Sequence, residues 1–179
     1  MALDLSSIPT LFTSMFVHAD PLHIFGNMLY LHIFGDNVED TLGRVRYIAF
    51  YFLSGFGAIV LHIVSSIFLG GLNIPVVGAS GAISGLMGAY LVFFPKAKIL
   101  TAVMGYYFYR IIPIRAEYYI GFWFIYQLLW ATLAPLLSPF EPSSVAYWAH
   151  VGGFLAGLVV AFIAKRYLAS ERFYTKPYW

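Results

Sequence analysis

Apolar stretches close to a bilayer's thickness alternate with short polar connections along this chain. About 20 predominantly apolar residues cross the hydrocarbon core as a helix. Residues 45–70, 78–94, 118–137 and 145–167 fit that pattern, the second of them short and rich in small residues. A fifth stretch, 22–38, is less apolar. It carries His23, Asn27, His32 and Asp36, so neighbouring helices must shield it from lipid. Residues 1–21 are amphipathic and broken by Pro9 and Pro21, which predicts a loop or interfacial segment. The connection 96–116 is apolar in patches but holds Lys96, Lys98, Arg110, Arg115 and Pro113, which argues against a span. Its two β-leaning runs, 98–103 and 109–114, flank Gly105 and predict a hairpin at the interface. The pattern as a whole predicts an all-α membrane bundle of about five spans, a single domain over residues 1–179.

Within 78–94, Ser80, Ser84 and Gly88 recur every four residues, as do Gly81, Gly85 and Ala89. On a helix these form two adjacent stripes of small residues, the surface that lets backbones approach closely inside a membrane. Two readings are open. The stretch is a packing helix with an incidental serine, or Ser80 is a nucleophile in the first turn. There, unpaired N–H groups and the positive end of the helix dipole can hold an oxyanion. The G-x-S-x-G elbow of soluble hydrolases does not fit, because position 82 is alanine.

Composition supports the membrane reading: 61% of the 179 residues are hydrophobic and 10% charged, more apolar surface than a soluble domain of this size can hide. The absence of cysteine excludes disulfides, thiolate metal sites and a cysteine nucleophile. A formal charge of +2 is too small to suggest nucleic acid, and the distribution of charge says more. Every Lys and Arg lies at 44–46, at 96–115 or at 165–176, that is, after the first, third and fifth spans. By the positive-inside rule those connections and the C-terminus are cytoplasmic and the N-terminus faces out, in a multi-pass protein of the cell membrane.

That topology brings the starts of three spans to one level near the outer face: His23 with Asn27, Ser80, and His150. His23 and Asn27 are four apart and share a helix face. A histidine within hydrogen-bond reach can activate a serine. No acid sits in the outer part of any other span, so a Ser–His dyad with Asn27 and His23 donating to the oxyanion uses the available pieces. Each piece also has a plainer role. His150 stands beside Gly152, Gly153 and Gly157 and can be a packing residue, and His23 with Asn27 can be an interhelical hydrogen-bonded pair. His32 and His62 lack polar company and read as structural, while His18 and Asp20 tie down the N-terminal loop. His18 and His23 match no strong zinc spacing, so no metal and no cofactor is expected.

The set His18-x4-His23-x3-Asn27, then Gly78-Ala79-Ser80-Gly81, then Ala149-His150-Val151-Gly152-Gly153 with Gly157, resembles the rhomboid intramembrane serine proteases. Glu39-x3-Gly43-Arg44 and Phe94-Pro95 are similar to the family as well, and the resemblance runs from about Phe12 to Phe162. It implies Ser80 as nucleophile and His150 as general base. It also implies an oxyanion site of Asn27, His23 and the Ser80 N–H. Gly78, Gly81, Gly85, Gly88, Gly153, Gly157 and Glu39 would be structural. The substrates implied are transmembrane segments of other membrane proteins, met in the lipid bilayer, sliding in past 118–137. The family core has six spans, and Met1 falls where the loop after the first would be. The Trp-Arg pair usual in that loop falls on Pro9-Thr10. Four residues after the nucleophile, where an aromatic often packs on the histidine, this chain has Ser84. Two other classes remain open: a catalytically inactive relative that binds membrane clients, and a small transporter using the His and Asn residues as a polar path.

Overall fold

The computed structural model describes residues 8–69, 77–105, 108–137 and 145–174. A short helix α1 (Ile8–Thr13) and a 3-10 turn (Ser14–Phe16) precede helix α2 (Pro21–Leu42) and helix α3 (Arg44–Leu69). Helix α4 (Ser80–Phe93) is followed by strands β1 (Lys98–Gly105) and β2 (Phe108–Arg115), and then by helices α5 (Ala116–Leu137) and α6 (Tyr147–Tyr174). The N-terminal segment is thus partly helical rather than all loop. The expected hairpin is present: β1 and β2 pair antiparallel from Lys98 opposite Arg115 to Gly105 opposite Phe108. It is the one sheet among the described residues of an otherwise helical membrane bundle.

Local signals account for the ends of α2. Asp20 is extended and its carboxylate accepts the His23 N–H at 2.8 Å, with Pro21 in the first turn, where its missing N–H is no loss. At the other end Gly43 takes φ +79° and its N–H donates to the Glu39 carbonyl at 2.7 Å. Arg44 then reaches back to the Glu39 carboxylate at 3.5 Å, so Glu39-x3-Gly43-Arg44 is a reversal between two antiparallel helices.

Helices α3, α5 and α6 are long and apolar enough to cross a membrane. The expected first span, in α2, does not reach that apolarity because of its polar residues. Helix α4, with 14 residues, is about 21 Å long at about 1.5 Å per residue, shorter than a ~30 Å hydrocarbon core. It is also the most enclosed helix, buried from Ala82 through Tyr90.

What encloses α4 is close backbone packing against α6 and α3. A Cβ on Gly153 would run into the Gly81 carbonyl oxygen, and one on Gly157 into the backbone of Gly85. A Cβ on Gly88 would come 2.6 Å from the Phe154 carbonyl oxygen, and one on Gly81 2.6 Å from the Ala58 methyl. Gly88 thus meets α6, whereas Gly81 and Gly85 lie in the seam where α6 and α3 both reach α4. Lower down, Phe34, Phe50, Leu86, Met87, Ile120 and Phe154 fill the core. Lys165 closes it by donating to the Val92 carbonyl at the C-terminal end of α4, at 2.8 Å.

Gly153→Ala is expected to lower stability by about 1–3 kcal/mol, the usual range for overpacking a tight contact. Gly121→Ala, where a Cβ meets nothing within 4 Å, should leave it unchanged or slightly raised. Thermal melting of the two variants in detergent checks this.

Candidate active site

The antiparallel order of the helices places the first turns of α2, α4 and α6 at one end of the bundle. Ser80 is the first residue of α4, and its N–H lies in the turn where a helix offers no carbonyl to its own donors. His150 is the fourth residue of α6. Its Nε2 lies 2.8 Å from Ser80 Oγ. That spacing is set by the contact one turn below, where Gly153 sits against Gly81.

The loop residue Gly78 has φ +102°, a conformation that side chains strongly disfavour. A Cβ there would also lie 2.8 Å from His23 Nε2 and 3.4 Å from Asn27 Nδ2. Glycine is needed at this point for both reasons, and the two α2 side chains close onto the backbone just ahead of Ser80. The Gly78 N–H donates to the Ser14 carbonyl at 2.8 Å, tying this loop to the N-terminal segment.

The two α2 donors are differently held. Ala19 N–H donates to His23 Nδ1 at 3.4 Å, which leaves the His23 proton on Nε2, the nitrogen facing Gly78. Asn27 is 6% exposed, and its Nδ2 is buried with no hydrogen-bond partner. Buried polar groups are nearly always paired, so this amide N–H, which no side chain or backbone group among the described residues accepts, is available to an acceptor in the cavity beside the N-terminus of α4. Ser80, His150, His23, Asn27, Tyr30 and Trp123 all border one cavity of about 510 Å³. Its volume falls in the range of about 300–1,000 Å³ usual for ligand sites.

Sequence reasoning missed two neighbours of His150, both on α5. The carbonyl Oε1 of Gln127 lies 2.9 Å from His150 Nδ1, and the Trp123 ring packs 6.2 Å from the imidazole at 34°. Looking only for acids as a third partner passed over the one amide in α5, although a polar side chain in an apolar span was a signal in itself. Ser84, at the position where an aromatic would pack on His150, instead donates to the Ser80 carbonyl at 2.7 Å.

The remaining candidates lie elsewhere. His18 and His23 meet edge to face, ring centres 5.2 Å apart, and no three His, Asp or Glu converge among the described residues. His32 does have polar company, contrary to expectation: its Nδ1 is 3.3 Å from Asp36 one turn on, both on the exposed side of α2.

The family model for the Rhomboid domain matches residues 6–167. RHOMBOID-like protein 6, mitochondrial, of Arabidopsis thaliana is 35% identical over 86% of this chain and 42% of its own length. RHOMBOID-like protein 1 of the same plant is 32% identical over 86% of this chain and 33% of its own. Rhomboid protease GlpG of Haemophilus influenzae is 26% identical over 84% of this chain and 66% of its own. The chain thus spans less than half the length of these plant relatives.

Proposed function

The chain belongs to the rhomboid family of multi-pass membrane proteins, and from that premise we propose that it is a serine endopeptidase that cleaves transmembrane segments within the membrane. One observation carries this reading: the Ser80 hydroxyl is hydrogen-bonded to an imidazole nitrogen and opens on a cavity bordered by an unpartnered amide donor. A packing serine has no need of either. The name of the Haemophilus relative, which includes the word protease, is in keeping with it.

In the proposed reaction Ser80 Oγ attacks the scissile carbonyl carbon while its proton passes to His150 Nε2. The carbonyl oxygen takes on negative charge and is met by Asn27 Nδ2, His23 Nε2–H and the Ser80 N–H. The C–N bond breaks as His150 returns the proton to the leaving amine. Water then attacks the acyl ester, with His150 again taking the proton, and releases Ser80. Water reaches the site from the end of the bundle where α2, α4 and α6 begin. The other end carries the hairpin and the cations, so the positive-inside rule puts the site near the outer face. A substrate helix comes in sideways along α5 and must unwind locally for its peptide bond to reach Ser80. Small or helix-breaking residues at the cleavage point ease that unwinding.

Orientation is tested with single cysteines in this cysteine-free chain. Cysteine in place of Val17 should react with an impermeant reagent added outside intact cells, and cysteine in place of Ala169 should not. The reverse pattern would turn the site toward the cytoplasm.

Ser80→Ala and His150→Ala should each abolish both cleavage of a transmembrane substrate and labelling by an alkyl fluorophosphonate. The double variant should be no worse than either single one, because the two residues act as a unit. Additive, partial losses would make His150 a packing residue. Since His150 must be neutral to accept the proton, activity is lost as pH falls and the ring is protonated.

Asn27→Ala should lower kcat by about 10²–10³, roughly 3–4 kcal/mol, since its donor acts on charge that exists only in the transition state. Melting temperature should change little, because the amide has no partner to lose in the folded protein. Unfolding of this variant with unchanged turnover of the folded fraction would make Asn27 interhelical glue.

A further inference from the structure

We infer that Gln127 is a positioning residue for this reaction: its side-chain carbonyl holds His150 in the tautomer that can take the Ser80 proton. The inference rests on Ser80 and His150 acting as nucleophile and base. Two distances at opposite edges of one ring carry it. Gln127 Oε1 lies 2.9 Å from His150 Nδ1, and His150 Nε2 lies 2.8 Å from Ser80 Oγ.

A neutral imidazole has a single N–H. With the proton on Nδ1, the Nε2 lone pair faces the serine and can accept its hydrogen. With the proton on Nε2, the ring can only donate to Ser80 and cannot act as a base. A carbonyl oxygen opposite Nδ1 favours the first form and sets lone pair against lone pair in the second. Once the serine proton has moved, the ring is an imidazolium with N–H on both sides, and the same oxygen still accepts. An amide nitrogen in that place would suit neither stage, so the two ring states together require the carbonyl to face inward.

The surroundings make this acceptor hard to replace. Gln127 is 6% exposed in the middle of an apolar helix of which it is the one amide side chain. An amide supplies the acceptor without burying a second charge, as a carboxylate there would. One turn earlier on the same helix, Trp123 lies beside the imidazole and packs on Phe154 at 6.1 Å. Helix α5 thus supplies both a wall and an acceptor for a ring that α6 carries.

The test uses the full chain in detergent, measuring the rate of Ser80 labelling by an alkyl fluorophosphonate against pH, with melting temperature alongside. In that reaction the Oγ–P bond forms, fluoride leaves and the serine proton passes to His150. Gln127→Met removes the acceptor at similar length and should slow labelling about 10–100-fold, the cost typical when a metal-binding histidine loses the partner that fixes its tautomer. Gln127→Glu restores an oxygen, so it should label faster than Gln127→Met. It should also lose activity at a higher pH than wild type, because a carboxylate holds the proton on His150. A residue that is only interhelical glue moves melting temperature but not the pH profile. Folded Gln127→Met labelling at the wild-type rate overturns the inference. If Gln127→Met does not fold, Gln127→Glu decides: a raised acid limb supports positioning and an unmoved one overturns it. If wild type shows no labelling that Ser80→Ala removes, the protease reading itself fails and the inference falls with it.

Discussion

Close approach of the α4 and α6 backbones is the constraint on which the rest of the structure depends. Lipid tails are as apolar as leucine, so helices in a bilayer gain little from burying apolar side chains on one another. What they gain comes from dense packing, and here glycine makes it dense: Gly153 lies on Gly81 and Gly157 on Gly85. This contact sets the rotation and height of α6 relative to α4. A slip of one residue would turn His150 by about 100° around its helix and away from Ser80. The short distance between the two side chains is thus a consequence of packing one and two turns below them.

The opposite wall of the site is built from a different kind of contact. Helix α2 turns His23 and Asn27 toward the backbone just ahead of α4; its first turn is capped by Asp20, and the loop that carries Gly78 is tied to the N-terminal segment through the Ser14 carbonyl. Those ties bring His23 and Asn27 over the N-terminus of α4 yet leave the Asn27 amide nitrogen without an acceptor. Tyr30 and Tyr119, hydroxyls 2.7 Å apart, are the polar link from α2 across to α5.

The bundle is polarised along its length. Beside the Asp20 cap, neutral hydrogen-bonding side chains gather where α2, α4 and α6 begin, and the Lys and Arg residues gather at the other end. There Lys165 caps α4, Arg115 pairs with Glu117 at 2.8 Å, and the hairpin presents Lys98 and Arg110 beside exposed Leu100, Met104 and Tyr109. A charge inside an apolar bundle is costly to bury, whereas the hairpin's Lys98 and Arg110 are exposed.

The sequence by itself determined the features set by period, composition and local chemistry. The stripes of small residues announced a tightly packed helix from Ser80, the Gly105 region a hairpin, and the placement of Lys and Arg an ordered alternation of ends. Because antiparallel helices joined by short connections must begin at alternate ends, the shared level of His23, Ser80 and His150 was legible too. Tertiary structure alone decided what depends on rotation about a helix axis and on contacts between distant segments. Nothing local says that Gln127 rather than an acid faces His150, or that Trp123 stands in for the aromatic missing at Ser84. Nor does anything local say that Asn27 is left unpaired. Each is settled by which way a helix turns when its small residues find another backbone, and that fit is a property of two surfaces rather than of one stretch of chain.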